Sequence, residues 1–146
     1  MAGTGIDLKL RLTLREGSVY YFEERHLTSR EPHYFIVVNS DPLARQVLLL
    51  SVVTSQVEAV KLRRKNCLET LVELTPDNFG VLKEPSIVDC NDLKQVPLAE
   101  FNMRFVRKEI KCFDRDLPVP LRKALRKAIH ASTILAAEMK ALVARP

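Results

Sequence analysis

Apolar and polar residues alternate over positions 7–14, where Leu8, Leu10, Leu12 and Leu14 are set against Lys9, Arg11 and Thr13. A period of two predicts a strand with one buried face. Arg15, Glu16 and Gly17 then make a turn, and Val19, Tyr20, Tyr21 and Phe22 predict a second strand. Residues 23–32 are crowded with charge, include Arg25 and His26, and read as an exposed loop. Residues 34–39 and 46–53 are apolar nearly throughout, which predicts strands covered on both faces. The Ser40-Asp41-Pro42 turn between them favours an antiparallel pair at the centre of the sheet.

Residues 57–65 carry Lys61, Arg63, Arg64 and Lys65, and residues 69–74 alternate again before Thr75-Pro76. Residues 86–91 predict another short strand with polar groups at its end, and residues 103–113 predict the last one. From Pro118 the period changes. Leu121, Leu125, Ile129, Ile134, Leu135, Met139 and Leu142 fit one helical face, with Arg122, Lys123, Arg126 and Lys127 mostly opposite. Asp116 suits the cap of such a helix, and Pro118 or Pro120 its first turn. The pattern predicts one domain over residues 1–146, mainly β. In it a barrel of about five to seven strands over residues 7–113 is closed by a C-terminal helix over residues 117–143.

A chain of 146 residues can bury a sizeable core without a disulfide or metal to stabilise it. Its net charge of +5 is a modest basic excess, which suits nucleic acid or an acidic protein and equally suits a solvated surface. Cys67, Cys90 and Cys112 are odd in number and scattered, with no CxxC pair and no zinc spacing, as expected of reduced thiols in the cytosol. The first ten residues lack the apolar core of a signal peptide, and the longest apolar run, residues 47–50, has strand length. The expectation is a soluble cytoplasmic protein without a membrane span.

Four segments in order carry a family resemblance. Gly17-Ser18-Val19-Tyr20-Tyr21-Phe22 is similar to the opening Gly-Asp-(apolar)3-(acidic)-Phe strand of the PemK/MazF toxins of toxin-antitoxin systems. The run from His33 to Ser40 is similar to their Arg-Pro-(apolar)-Val-Val-Leu-Ser strand, and Val52 to Gln56 to their Pro-x-Thr-(Thr/Ser)-Gln strand end. Gly80-Val81-Leu82 followed by Ser86-Ile87-Val88-Asp89-Cys90-Asn91 is similar to a Gly-Leu then Ser-(apolar)2-x-x-Asp-Gln segment. The resemblance implies an SH3-like β-barrel of the PemK/MazF/CcdB type with a C-terminal α-helix. It also implies an endoribonuclease that cleaves single-stranded RNA without metal or cofactor, a homodimer with its RNA groove across both subunits, and an acidic antitoxin whose disordered tail blocks that groove.

In such chemistry the ribose hydroxyl attacks its own phosphate, and the protein supplies proton transfer and charge stabilisation. The resemblance puts Thr54 at the family's catalytic threonine, His33 or Tyr34 at its arginine, and Asn91 at its aspartate, with Asp89 two residues earlier as a substitute carboxylate. An imidazole is a sensible replacement for arginine, since it exchanges protons near neutrality and stabilises a phosphorane when protonated. Each candidate also has a plain reading. His33 satisfies a backbone carbonyl at a strand end; Thr54 and Ser55 either donate to RNA phosphate or are ordinary strand residues; Gln56 reads a base edge or caps a strand; Asp89 and Asn91 are turn chemistry. Lys61 and Arg63 either track an RNA backbone or form a wet face. The alternative function is a non-catalytic barrel that binds an antitoxin, a topoisomerase-type target or nucleic acid, and a third is an accessory subunit docking through its long helix.

Overall fold

The computed structural model describes residues 5–24 and 31–146, so Arg25 and His26 of the expected exposed loop lie outside the described residues. The first apolar segment is not a strand: it folds as helix α1 (Leu8–Thr13). The cause is a local cap. The Asp7 carboxylate accepts from the Lys9 and Leu10 amides at 3.0 and 3.3 Å, satisfying donors that a helix N-terminus leaves open. The four leucines then divide by helical spacing, Leu10 and Leu14 buried, Leu8 and Leu12 exposed.

Gly17 turns the chain from α1 into the sheet with φ +93°, and a Cβ there would stand 2.6 Å from Arg122 Cδ. Only glycine meets both demands without strain. Its amide donates to Val37 O at 2.8 Å, and its carbonyl accepts from the Leu117 amide at 2.7 Å.

Among the described residues six antiparallel strands follow, β1 (Val19–Phe22), β2 (His33–Val37), β3 (Val47–Thr54), β4 (Leu71–Leu74), β5 (Ser86–Pro97) and β6 (Lys111–Cys112). They lie side by side in the order β4-β5-β3-β2-β1-β6. The expected central pair is present, with Tyr34 opposite Val53 and Val37 opposite Leu50. Its connection holds a short helix, α2 (Pro42–Arg45), flanked by Asp41 and Gln46 in the left-handed region. Buried Asn39 secures that connection: its side chain donates to Val47 O at 2.8 Å and accepts from the Leu49 amide at 2.9 Å.

The sheet is not closed into a barrel; β4 and β6 are its two edges. Of the two segments expected to complete a barrel, the first is α1 and the second is extended over only two residues. Residues 103–113 contribute the end of α4 (Leu98–Val106) and the two-residue β6. Leu98 and Phe101 of α4 are buried three residues apart, a helical spacing that begins upstream of the segment read as a strand. One sheet face packs Tyr20, Phe22, Phe35, Leu48 and Leu50 against α1 and α4. The other packs Ile36, Leu49, Val53, Val88 and Cys90 against Leu125, Ala128 and Ile129 of α5 (Val119–Ala131). This two-sided burial is what the unbroken apolar runs of β2 and β3 require.

The C-terminal helix is also two helices rather than one. α5 stops at Ser132, which is extended, and α6 (Ala137–Lys140) follows. The buried Ser132 hydroxyl accepts from the amides of Ile134 and Leu135 at 3.2 and 3.3 Å, a local alternative to continuing the helix. The basic segment after β3 forms α3 (Val57–Arg63). Among the described residues, no helix is long and apolar enough to cross a membrane.

Candidate active site

The antiparallel register that pairs Tyr34 with Val53 carries the start of β2 and the end of β3 to the same end of the sheet. The pairing of β3 with β5 changes register near this end: Ser51 faces Leu93 and Val53 faces Val88, so the extra residues lie on β5. A cleft of about 350 Å³ opens at this end, lined by His33 and Tyr34 of β2, by Thr54, Ser55 and Gln56, and by Leu82, Lys83 and Glu84 of the loop before β5. Four residues expected to contact RNA, His33, Thr54, Ser55 and Gln56, are therefore together.

Their hydrogen bonding leaves capacity unused. The Gln56 amide donates to Thr54 Oγ1 at 3.2 Å, which fixes the oxygen and leaves the hydroxyl hydrogen to donate elsewhere. His33 Nδ1 is buried and has no partner among the described residues. Lys83 is exposed and brings positive charge to the wall facing β2. Tyr21 and Tyr34 complete the lining, their ring centroids 4.7 Å apart. Burial, and after it Tyr21, raises the Tyr34 phenol above its ordinary 10.0.

Asp89 and Asn91, expected to assist the chemistry, do not line this cleft. They form a buried polar network. Asp89 is 5% exposed and accepts from Arg64 Nε at 2.9 Å and Arg63 at 3.3 Å. Its other oxygen accepts from the Asn91 amide and side chain at 3.0 and 2.9 Å. The Asn91 side chain also donates to Thr70 Oγ1 at 2.7 Å and accepts from the Ser132 hydroxyl at 2.6 Å. Burial pushes the Asp89 carboxyl up, but the bonds from Asn91, Arg64 and Arg63 outweigh it and hold the group below its ordinary 3.8. Such a carboxylate is a poor base. The cost of burying these groups is met only while every partner is present.

Lys61 and Arg63 of α3, expected on an RNA track, pair with Glu73 of β4 at 2.8 Å and with Asp89 of β5. Neither lines the cleft. Cys67, Cys90 and Cys112 are free, and burial raises the Cys90 thiol well above its ordinary value. His130 is a packing residue, its Nε2 3.1 Å from the carbonyls of Val143 and Ala144. No group of three or more metal-ligating side chains occurs among the described residues.

The sequence reading missed Tyr21, Lys83 and Glu84 as lining residues. Tyr21 sits inside a strand, and only its pairing with Tyr34 marks it. Lys83-Glu84 lies some thirty residues from Thr54, with no local signal beyond a polar loop before β5.

No family model matches the chain, and no curated protein does. Solved structures do. An endoribonuclease in complex with its cognate antitoxin from Mycobacterial species aligns over 80% of this chain and 90% of its own, with 11% identity and a TM-score of 0.50. The Mycobacterium tuberculosis toxin MazF-mt6 aligns over 78% of this chain and 94% of its own, with 15% identity and a TM-score of 0.50. With nearly the whole of both proteins covered, this chain has the fold of the MazF-type toxins.

Proposed function

We propose that the protein is a toxin-type endoribonuclease that cleaves single-stranded RNA in the His33–Thr54 cleft. The observation that carries this reading is the meeting of His33, Thr54, Ser55 and Gln56 in one cleft, with the Thr54 oxygen fixed by the Gln56 amide. The likeness to an endoribonuclease solved with its cognate antitoxin and to the toxin MazF-mt6 supports it at the level of fold.

In the proposed reaction the substrate supplies its own nucleophile. His33 takes the proton of a ribose 2′-hydroxyl as the 2′ oxygen bonds to phosphorus, the bond from phosphorus to the 5′ oxygen breaks, and His33 returns a proton to the departing oxygen. Thr54 and Ser55 donate to the non-bridging oxygens as charge builds on them, and Lys83 lowers the cost of that charge. Gln56 is positioned to contact a base. Asp89 and Asn91 have no step in this scheme, and Lys61 and Arg63 contribute long-range field only. A homodimer and an acidic antitoxin segment that competes for the same cleft are part of the proposal, in keeping with the net charge of +5.

The test is the chemistry of the ends. Attack by the 2′ oxygen leaves a 2′,3′-cyclic phosphate and a 5′-hydroxyl and cannot occur on the same strand with 2′-O-methyl sugars. Cutting of the methylated strand, or 5′-phosphate ends, would exclude this scheme. One observation favours a second reading, a non-catalytic binder: the carboxylate at Asp89 is committed to two arginines and an asparagine. Tight RNA binding without products would select it.

A further inference from the structure

The cleft adjoins a row of aromatic rings that the proposed chemistry does not use. Tyr34 on β2 and Tyr21 on β1 are register partners, their rings 4.7 Å apart and tilted 45°. Phe113, just beyond β6, packs against Tyr34 with centroids 5.4 Å apart. Tyr21 is also the register partner of Lys111, whose ammonium stands 5.5 Å from the Phe113 ring. The row crosses three strands from the cleft to the edge of the sheet, roughly 10 Å at the usual strand spacing. Both tyrosines line the cleft and are half-buried, whereas Tyr20 is fully buried and packs on Phe101.

We propose that Tyr34 and Tyr21 form a nucleobase-stacking subsite beside the cleft, with Lys111 at its outer end meeting the phosphate backbone. The inference rests on reading the cleft as a nucleic-acid site and adds where the neighbouring base lies. Flat aromatic surface between a polar cleft and a cation suits a ligand that alternates flat rings with anionic linkers, which is the chemistry of a single strand. An aliphatic or purely anionic ligand uses one half of it and leaves the other unmatched. The 45° tilt makes a shallow V, so one base stacks on one ring with the second ring at its edge. Stacking is tolerant of sequence, so this subsite fixes the register of the strand and leaves base identity to polar contacts such as Gln56.

The chain has three tyrosines and no tryptophan, so tyrosine emission reports largely on this subsite. The probe is a short single-stranded oligonucleotide with 2′-O-methyl sugars, with a DNA version alongside, titrated into the wild-type protein. Quenching of emission by both is expected, and an abasic position scanned along the strand should weaken binding about tenfold at one place, the loss of one stacked base. Tyr21→Leu and Tyr34→Leu should weaken the intact strand by a similar factor and the abasic strand little. The abasic scan needs no variant, so misfolding of Tyr34→Leu does not decide the matter. Binding without quenching, equal binding of every abasic strand, or no binding would overturn the subsite. Quenching with abasic sensitivity in a protein that cuts no RNA would keep the subsite and remove the nuclease; normal cutting by both tyrosine variants without quenching would do the reverse.

Discussion

The Ser132 hydroxyl donates to the Asn91 side-chain carbonyl at 2.6 Å across 41 residues of chain. This bond ties the end of α5 to β5 and completes a network in which Thr70, Asp89 and both ends of the Asn91 amide have partners. Asn91 stands where the resembled toxins carry an aspartate, yet its surroundings are built for an amide. Asn91→Asp would lose the donor to Thr70 and set a second carboxylate against Asp89. It should cost about 2–4 kcal/mol, read as a lower urea midpoint, and leave RNA cleavage per folded molecule no higher. A stable variant with faster cleavage would return position 91 to the chemistry.

Asp89 makes stability depend on acid. Its folded carboxyl lies below the ordinary 3.8, so the unfolded chain takes up the proton first as pH falls. The stabilisation is therefore complete above the ordinary value and disappears as pH drops through the lower folded one. Urea midpoints measured through this window should fall steeply for the wild type. In Asp89→Asn they should start lower and show a shallower acid limb; parallel curves would mean that Asp89 is not linked to folding.

Gly17 is predicted to resist substitution. Gly17→Ala places a side chain at φ +93° and against Arg122, and should cost about 1–3 kcal/mol in chemical denaturation. An unchanged midpoint would mean that the turn and Arg122 both shift freely.

The leucines of α1 separate a helix from a strand. In the strand reading all four share one buried face; in α1 only Leu10 and Leu14 do. Leu12→Lys should change stability by less than about 0.5 kcal/mol, and Leu10→Ala should cost about 2–4 kcal/mol. Equal losses at both positions would favour the strand.

These cases show where the sequence was informative. The central strands were legible because β2 and β3 are buried on both faces, and that burial writes an unbroken apolar run into the chain. The ends of these strands were legible as polar clusters, which is why His33, Thr54, Ser55 and Gln56 were found together. Alternation in residues 7–14 was ambiguous, since leucines two apart also supply an i, i+4 pair, and the Asp7 cap decided the outcome. The placement of Asp89 and Asn91 away from the cleft was not legible, because motif order carries no record of partners. Thr70, Arg64 and Ser132, which fix their roles, are distant in sequence and meet them only in the folded sheet. Lys83 and Tyr21 reach the cleft by the same long-range route.

The most direct test of the central claim is cleavage of a mixed-sequence single-stranded RNA in chelator by wild type, His33→Ala and Thr54→Ala, each shown to be folded. The account predicts cuts by the wild type, a loss of about 100-fold or more in His33→Ala and of about 10- to 1000-fold in Thr54→Ala. Cleavage that persists undiminished in both variants would contradict it.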